Sequence, residues 1–180
     1  MASISSLHSL PVQPITAAAF QPYGQLITPM PDAHPYGPDN AQLVLSPGIP
    51  RFYLMHLTYR GRRFHQMTRH VACTQCLGSL AGKSWFLAVA PPSGPDHPDH
   101  PDRAALQAFQ IPGNCFVKLA IGTWHAGPYF DHPFVDFYNL ELSDTNEVDH
   151  FSYDFQQAEN VIFELVGGVP DTETSHDHPD

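Results

Sequence analysis

The stretch of sequence that decides the fold and the site runs from Thr68 to Gly78 and reads TRHVACTQCLG. It places His70 and Gln75 close to a Cys-x-x-Cys pair formed by Cys73 and Cys76. Such a segment has three interpretations: a metal site, a redox site, or a strand that happens to carry reactive side chains.

The Cys-x-x-Cys pair favours the last interpretation. A zinc knuckle needs a second cysteine pair or two histidines, and Cys115 is the one further cysteine in the chain. A redox pair normally opens a helix, whereas the surroundings of Cys73 and Cys76 are strand-like, and residues three apart on a strand point to opposite faces. We therefore expect two unbridged, structural thiols in a reducing compartment.

Short β-prone runs extend outward from this segment on both sides. Nineteen prolines and a charged fraction of 14% are typical of short strands and turns and not of long amphipathic helices. The sequence predicts an all-β sandwich or barrel. We expect a loose leader over residues 1–13, one folded domain over 14–166 and a disordered tail over 167–180. The predicted strands include RFYLMHLTY (51–59), KSWFLAVAPP (83–92), CFVKLAIGTWHA (115–126), FVDFYNLEL (134–142) and ENVIFELV (159–166).

Composition excludes several classes of function. Eight Lys and Arg residues stand against 18 Asp and Glu residues, a net charge of −10 that opposes binding to nucleic acid and to anionic membranes. The sequence has no apolar run near the roughly 18–20 residues of a membrane helix. We expect a cytoplasmic protein that binds a small molecule, with an organellar transit segment at the Ser-rich N-terminus left open.

Two histidine motifs resemble those of cupin-type barrels. Cupins place His-x-His, then an acid and a glycine, on one strand region, and end a second motif in Gly-x-x-His. Here His70 is followed by Gln75 and Gly82, and the second motif ends at His125, although Thr68 takes the first histidine position and Gln75 that of the acid. The resemblance implies that His70, Gln75 and His125 converge inside the barrel, within about 3–6 Å. It leaves open whether they hold a divalent metal ion or none.

Five segments, in order, resemble the ureidoglycolate lyase family, a cupin-fold group of purine (allantoin) breakdown. They are PITAAAFQPYGQLI (14–27), HQMTRHVACTQCL (65–77), PDRAALQAF (101–109), GTWHAGP (122–128) and VDFYNLELSDTNEVDH (135–150). The resemblance implies a cupin-like double-stranded β-helix (a jelly-roll barrel), a homodimer, and cleavage of ureidoglycolate into glyoxylate and urea.

The resemblance also implies roles for particular residues. His70, His125 and Gln75 would be catalytic, and Arg69 or Lys83 would bind the substrate carboxylate. The further positions expected to bind substrate are His65, Trp124 and Asp136. Thr68 stands where the family usually has a glutamate. An alternative function therefore stays open: a non-catalytic cupin that binds a small carboxylate or sugar acid as a sensor or scaffold.

Overall fold

The computed structural model describes residues 5–46, 48–94 and 99–170. Strands make up most of the regular structure within them. The strands are β1 Ser6–Pro14, β2 Gly24–Ile27, β3 Pro50–Thr58, β4 Arg63–Phe64, β5 Gln66–Arg69, β6 Gln75–Ser79, β7 Gly82–Ala90, β8 Gln107–Gly113, β9 Phe116–Leu119, β10 Trp124–Tyr129, β11 Phe134–Leu142, β12 Phe151–Asp154 and β13 Val161–Val166. The helices are α1 Ala17–Phe20, α2 Thr145–Val148 and α3 Phe155–Glu159, with a 3₁₀ turn at Arg103–Ala105.

Two curled sheets face each other and form a half-barrel. The larger has the strand order β12-β5-β10-β7-β8-β1-β13-β4, and the smaller has the order β2-β9-β6-β11-β3. The predicted all-β, cupin-like jelly-roll fold is confirmed.

The nearly continuous apolar run of β7 is explained by burial of both faces of the larger sheet. Trp85, Leu87 and Val89 point into the core between the two sheets. Phe86 and Ala88 point the other way, into a second core that the curled end of the larger sheet and α3 cover. A strand that is buried on both sides has no polar face, so its sequence does not alternate.

The N-terminal segment is part of the sheet, so the predicted loose leader is wrong for residues 6–13. Strand β1 pairs in parallel with β13 and, further along, with β8. Leu10 and Val12 alternate with exposed residues and pack on the second core, which is what fixes the strand. Residues 1–4 lie outside the described part of the chain.

Residues 167–170, the described part of the predicted tail, are not loose at Val169. The backbone of Val169 exchanges two hydrogen bonds with the side-chain amide of Gln110, at 2.6 and 2.7 Å. This contact holds the chain against β8 beyond the last strand. Residues 171–180, where the rest of the predicted tail lies, are outside the described residues.

The cysteines are buried and unbridged, as predicted for Cys73 and Cys76. Burial raises the pKa of the Cys76 thiol to about 11, so it stays protonated at neutral pH. Among the described residues, no helix is both long and apolar enough to cross a bilayer.

Candidate functional site

A cavity of about 470 Å³ lies between the two sheets at one end of the barrel. The smaller sheet contributes Tyr53 from β3, Gln75 from β6 and Asn139 and Glu141 from β11. The larger sheet contributes Thr68 and His125. His70, Gln75 and His125 all line this cavity and also a second, smaller pocket, so the structure brings the three predicted residues together.

Strand β11 supplies the acidic part of the cavity through simple alternation. Val135 and Phe137 point inward and belong to the core between the sheets. Asn139 and Glu141 continue the same inward row, but they line the cavity. The inward row therefore changes from apolar to polar halfway along one strand.

Glu141 is 1% exposed, and side-chain donors fix its carboxylate. Gln75 Nε2 donates to Oε2 at 2.7 Å, and Tyr53 Oη and Asn146 Nδ2 each donate to Oε1 at 3.3 Å. Asn139 Nδ2 in turn donates to Tyr53 Oη at 3.1 Å. Gln75 thus holds a carboxylate in place, although it occupies the cupin position at which a carboxylate itself is common.

The turn after β5 positions His70. Its Nδ1 hydrogen-bonds the carbonyl oxygen of Asp149, and the Asp149 carboxylate accepts the backbone N–H groups of Val71 and Ala72, each at 2.8 Å. Because a carbonyl only accepts, Nδ1 carries the proton and Nε2 is left with its lone pair.

The second histidine motif is tied to the first through the backbone. Gly122 donates its N–H to the carbonyl of His70 at 2.7 Å and adopts a φ of 82°, which favours glycine. This turn leads into β10, where the ring of His125 lies 5.3 Å from the ring of His70, centroid to centroid. His125 Nδ1 lies 3.3 Å from the carbonyl of Thr123, so the same tautomer is favoured.

Burial keeps both imidazoles neutral at neutral pH. It lowers the pKa of His125 to about 4, and the nearby His70 adds to the shift. Burial also lowers the pKa of His70, but the carbonyl and the charge of Asp149 oppose the shift. The two histidines therefore differ, since His70 has an anionic neighbour that can support a positive charge.

A third histidine, which the sequence did not single out, completes a row along the cavity. The ring of His150 stacks on that of His70 at 5.7 Å and 19°. Its Nε2 lies 3.2 Å from Thr68 Oγ1, which also contacts Ser152 Oγ at 3.1 Å. Thr68 thus lines the cavity as part of a hydroxyl and imidazole chain.

Two of the predicted binding residues lie on the wrong face of the larger sheet. Thr68 and His125 pair across β5 and β10 and face the cavity, so their neighbours Arg69 and Trp124 point to the opposite face. The Arg69 guanidinium sits 4.7 Å from the Trp124 ring centroid, in contact with the second core. The prediction that these two residues bind the substrate in this cavity is therefore wrong, because adjacent residues of a strand point to opposite faces of the sheet.

Lys83 and Asp136 also lie outside the cavity. Lys83 Nζ donates to the carbonyl of Phe134 at 2.9 Å. Phe134 is the first residue of β11, so this contact lies at the opposite end of the strand from Glu141. Asp136 falls between the inward residues of β11, so it points outward and contacts His56 Nδ1 at 2.6 Å. Of the predicted binding residues, His65 does line the cavity, with its Nδ1 3.1 Å from Asp154 Oδ1.

The cationic side of the cavity comes from residues that sequence reasoning missed. Arg60 lines it from the segment between β3 and β4, and Arg63 lines it from β4. Arg63 is paired with Glu164 at 2.8 Å, whereas Arg60 contacts the Pro128 carbonyl at 3.3 Å and the Tyr129 ring. In the described part of the chain, Arg60 forms no ion pair, so its charge is not neutralised by a carboxylate of the protein.

The donor set does not fit a preformed metal site. The described residues hold no group of three or more His, Cys, Asp or Glu side chains placed to bind an ion. The predicted set of His70, Gln75 and His125 offers two imidazoles and one amide, without an anionic ligand. We therefore derive no chemical step through a metal.

Glu141 and Asn139 carried a signal in the sequence. In FVDFYNLEL the residues of one parity read Val, Phe, Asn and Glu, a row that begins apolar and ends polar. A strand of a closed barrel that changes character in this way indicates a core at one end and a cavity at the other. His150 and Arg60 lie in connecting segments, where the sequence has no periodicity to reveal them.

Fold and cavity define a cupin-like barrel protein with a polar, histidine-containing pocket. The ureidoglycolate lyase family matches residues 55–158, more than half of the chain and the part that carries nearly all of the cavity. The chain belongs to the ureidoglycolate lyase family.

Other comparisons are more distant. No protein with a curated description matches the chain. Among solved structures, the chain is similar to a dTDP sugar isomerase from Desulfovibrio desulfuricans. The sequence identity is 14%, the match covers 74% of this chain and 85% of that one, and the TM-score is 0.46.

Proposed function

We propose that the protein is a ureidoglycolate lyase, which splits ureidoglycolate into glyoxylate and urea in allantoin breakdown. The observation that supports this most is the meeting of two neutral imidazoles, His70 and His125, with the buried carboxylate of Glu141 in one cavity. Membership of the family supports this reaction, and the cavity supplies groups suited to it.

The reaction needs proton transfer alone. Ureidoglycolate is a carbinolamine: one carbon carries a hydroxyl group, a carboxylate and the ureido nitrogen. A base removes the hydroxyl proton, the C–O bond becomes the aldehyde of glyoxylate, and the C–N electron pair leaves with the nitrogen. The nitrogen then takes a proton and departs as urea, so no oxidant or reductant is consumed.

His70 is the proton carrier in this proposal. Its Nε2 accepts the hydroxyl proton, and the imidazolium is supported by Asp149, whose carbonyl accepts from Nδ1. The same proton then passes from Nε2 to the departing nitrogen, which leaves His70 unchanged. Positioned acid–base catalysis of this kind contributes about 10²–10⁴ in rate.

His125 and Gln75 have supporting roles. With a pKa of about 4, His125 stays neutral, and its Nε2 accepts a hydrogen bond from a ureido N–H of the substrate without titrating. Gln75 is a positioning residue, because its amide holds Glu141. The substrate carboxylate binds Arg60, whose planar guanidinium suits a carboxylate, and His65 lines the same cavity.

The test is glyoxylate release from ureidoglycolate, measured with metal-depleted and with metal-supplemented protein. We expect release in both samples, and a dependence on added divalent ions would assign the metal a part in the reaction. His34→Ala, in an exposed loop, is the matched control for histidine variants. If ureidoglycolate binds but no glyoxylate forms, the proposal fails, and the non-catalytic sensor or scaffold, which Thr68 favours, replaces it.

We also propose that the protein is a homodimer. Strand β3 is an edge strand of the smaller sheet, and its outward residues Phe52 and Leu54 are 69% and 66% exposed. Long apolar edges of this kind are usually covered in native proteins, and a two-fold axis would cover both copies at once. Sedimentation at micromolar concentration should give a dimer, and Leu54→Lys should give a monomer.

We also propose a cellular setting for the protein. Buried, unbridged thiols suit a reducing compartment, and we place the enzyme in the cytoplasm. Fractionation of cells that express the full chain tests this, and recovery in an organelle fraction would contradict it.

A further inference from the structure

Glu141 is a buried carboxylate that forms no salt bridge with a Lys or Arg side chain of the described residues. It is 1% exposed, and no Lys or Arg within the described residues pairs with it. Its hydrogen bonds come from neutral groups, the amides of Gln75 and Asn146 and the phenol of Tyr53. A buried anion is costly unless hydrogen bonds compensate it, so further donors at this position are favoured.

The hydrogen bonds of Glu141 are unevenly divided between its two oxygens. Oε1 accepts from both Tyr53 and Asn146, whereas Oε2 accepts from Gln75. Each carboxylate oxygen has about two acceptor positions. Within the described chain, Oε2 therefore retains acceptor capacity on a residue that lines the cavity.

Asn139 adds a second acceptor beside it. Its Nδ2 donates to Tyr53 Oη at 3.1 Å, which fixes the amide orientation and leaves Oδ1 as an acceptor on the same wall. A ligand that faces this wall meets acceptors, and it must bring N–H or O–H donors.

We infer that Glu141, with Asn139 beside it, is the specificity-determining element of the cavity and selects ligands that carry a ureido group. A ureido group offers N–H donors on both nitrogens, and a carboxylate acceptor strengthens such hydrogen bonds. The choice of a ureido acid rests on the proposed function. Arg60 lines the same cavity and takes the carboxylate end, so the ligand has one favoured direction.

The test uses three uncleavable ligands of equal length that differ in N–H donors. Hydantoate (N-carbamoylglycine) has both ureido nitrogens, N-acetylglycine has the inner N–H alone, and levulinate has neither. All three keep the carboxylate and the carbonyl. Calorimetry on the wild-type protein should give the affinity order hydantoate, N-acetylglycine, levulinate, with the first and last at least about 10-fold apart, since hydrogen bonds to a charged group are among the strong ones.

The substitution Glu141→Gln removes the charge and keeps the shape. It should reduce the preference for hydantoate over levulinate to about 3-fold or less, mainly through weaker hydantoate binding. Glu147→Gln, on the exposed face of α2, is the matched control and should keep the wild-type preference. Arg60→Gln should weaken all three ligands by a similar factor and leave their order unchanged.

Two results would overturn the inference. The first is equal affinity of the wild-type protein for all three ligands, which needs no variant and holds even if Glu141→Gln does not fold. The second is an unchanged preference in a folded Glu141→Gln protein.

The outcome is separable from that of the proposed function, because none of the ligands turns over. A Glu141-dependent preference without glyoxylate release would sustain the specificity and refute the lyase. Glyoxylate release without the preference would sustain the lyase and refute the specificity.

Discussion

The two ends of the barrel interior are built from the same strands by the same alternation, yet one end packs and the other binds. At the packed end, Val135 and Phe137 of β11 are fully buried among aromatic and aliphatic side chains. At the cavity end, Asn139 and Glu141 occupy the next two inward positions and meet polar partners. Strand parity thus decides which residues face inward, and residue type along the inward row decides where the core stops.

Phe137→Ala removes a core side chain at the packed end and should have the largest effect, a loss in the free energy of unfolding. Phe137 is 0% exposed and makes a T-shaped contact with Trp85, with ring centroids 5.4 Å apart. Truncation of a buried Phe costs about 3–5 kcal/mol, because it removes apolar contact and leaves a cavity. Urea unfolding measures this loss. Phe134→Ala, at a half-exposed position of the same strand, is the control and should cost much less. A Phe137→Ala cost below about 1 kcal/mol would contradict the division into two ends.

His70→Ala acts at the cavity end and should lower the rate of glyoxylate release by about 10² or more, because the proton carrier is lost. Its stability cost should be smaller than that of Phe137→Ala, since His70 packs against polar groups. Initial rates with saturating ureidoglycolate measure the effect, with His34→Ala as the control. Turnover that survives replacement of both His70 and His125 would refute the assignment of the site.

The sequence predicted the packed end better than the cavity end. Apolar runs such as the one that became β7 reveal strands whatever their partners, and the histidine motifs placed His70, Gln75 and His125 at one site. Arg69, Trp124 and Asp136 were misplaced because a shift of one residue moves a side chain to the opposite face of a strand. The motif fixed the neighbourhood of these residues but not their parity.

Other features of the site had no local signal at all. Arg60 and His150 reach the cavity from the segment after β3 and from the turn after α2, whose positions depend on the whole fold. The prediction of a loose leader failed for a similar reason. Strand β1 is held by parallel pairing to β13, the last strand of the described chain. Partners of this kind are distant in the sequence, so a short window does not identify them.

The pH dependence of stability should separate the two ends further. The pKa of His125 is about 4 in the folded protein and about 6.5 in an unfolded chain, so the unfolded state binds the proton first as the pH falls. The stabilisation is present above pH 6.5 and is lost between about pH 6.5 and 4, with a size on the order of 3 kcal/mol in full and about 2 kcal/mol between pH 7.5 and 5. Urea unfolding at pH 7.5 and 5 measures it. The variant His125→Gln, which cannot titrate, should show a flatter dependence, whereas Phe137→Ala should keep the wild-type slope. An equal slope in wild type and His125→Gln would contradict the burial of a neutral imidazole.

Thr68→Ala should have the smallest effect and is the sharpest test of which groups at the cavity end do chemistry. Thr68 lines the cavity opposite His125, and its hydroxyl contacts His150 and Ser152, but it carries no titratable group. If His70 is the base, removal of this hydroxyl should change the rate of glyoxylate release by no more than about 3-fold, because both of the hydrogen bonds that it makes are exposed. Thr68→Glu restores the carboxylate that relatives have at this position, and Thr68→Gln is its uncharged control. In a working lyase, Thr68→Glu should change the rate little, because Asp149 already supports His70 from the other side. A large gain with Thr68→Glu, absent with Thr68→Gln and accompanied by background activity in the wild type, would instead mean that the cavity binds its ligand without turning it over.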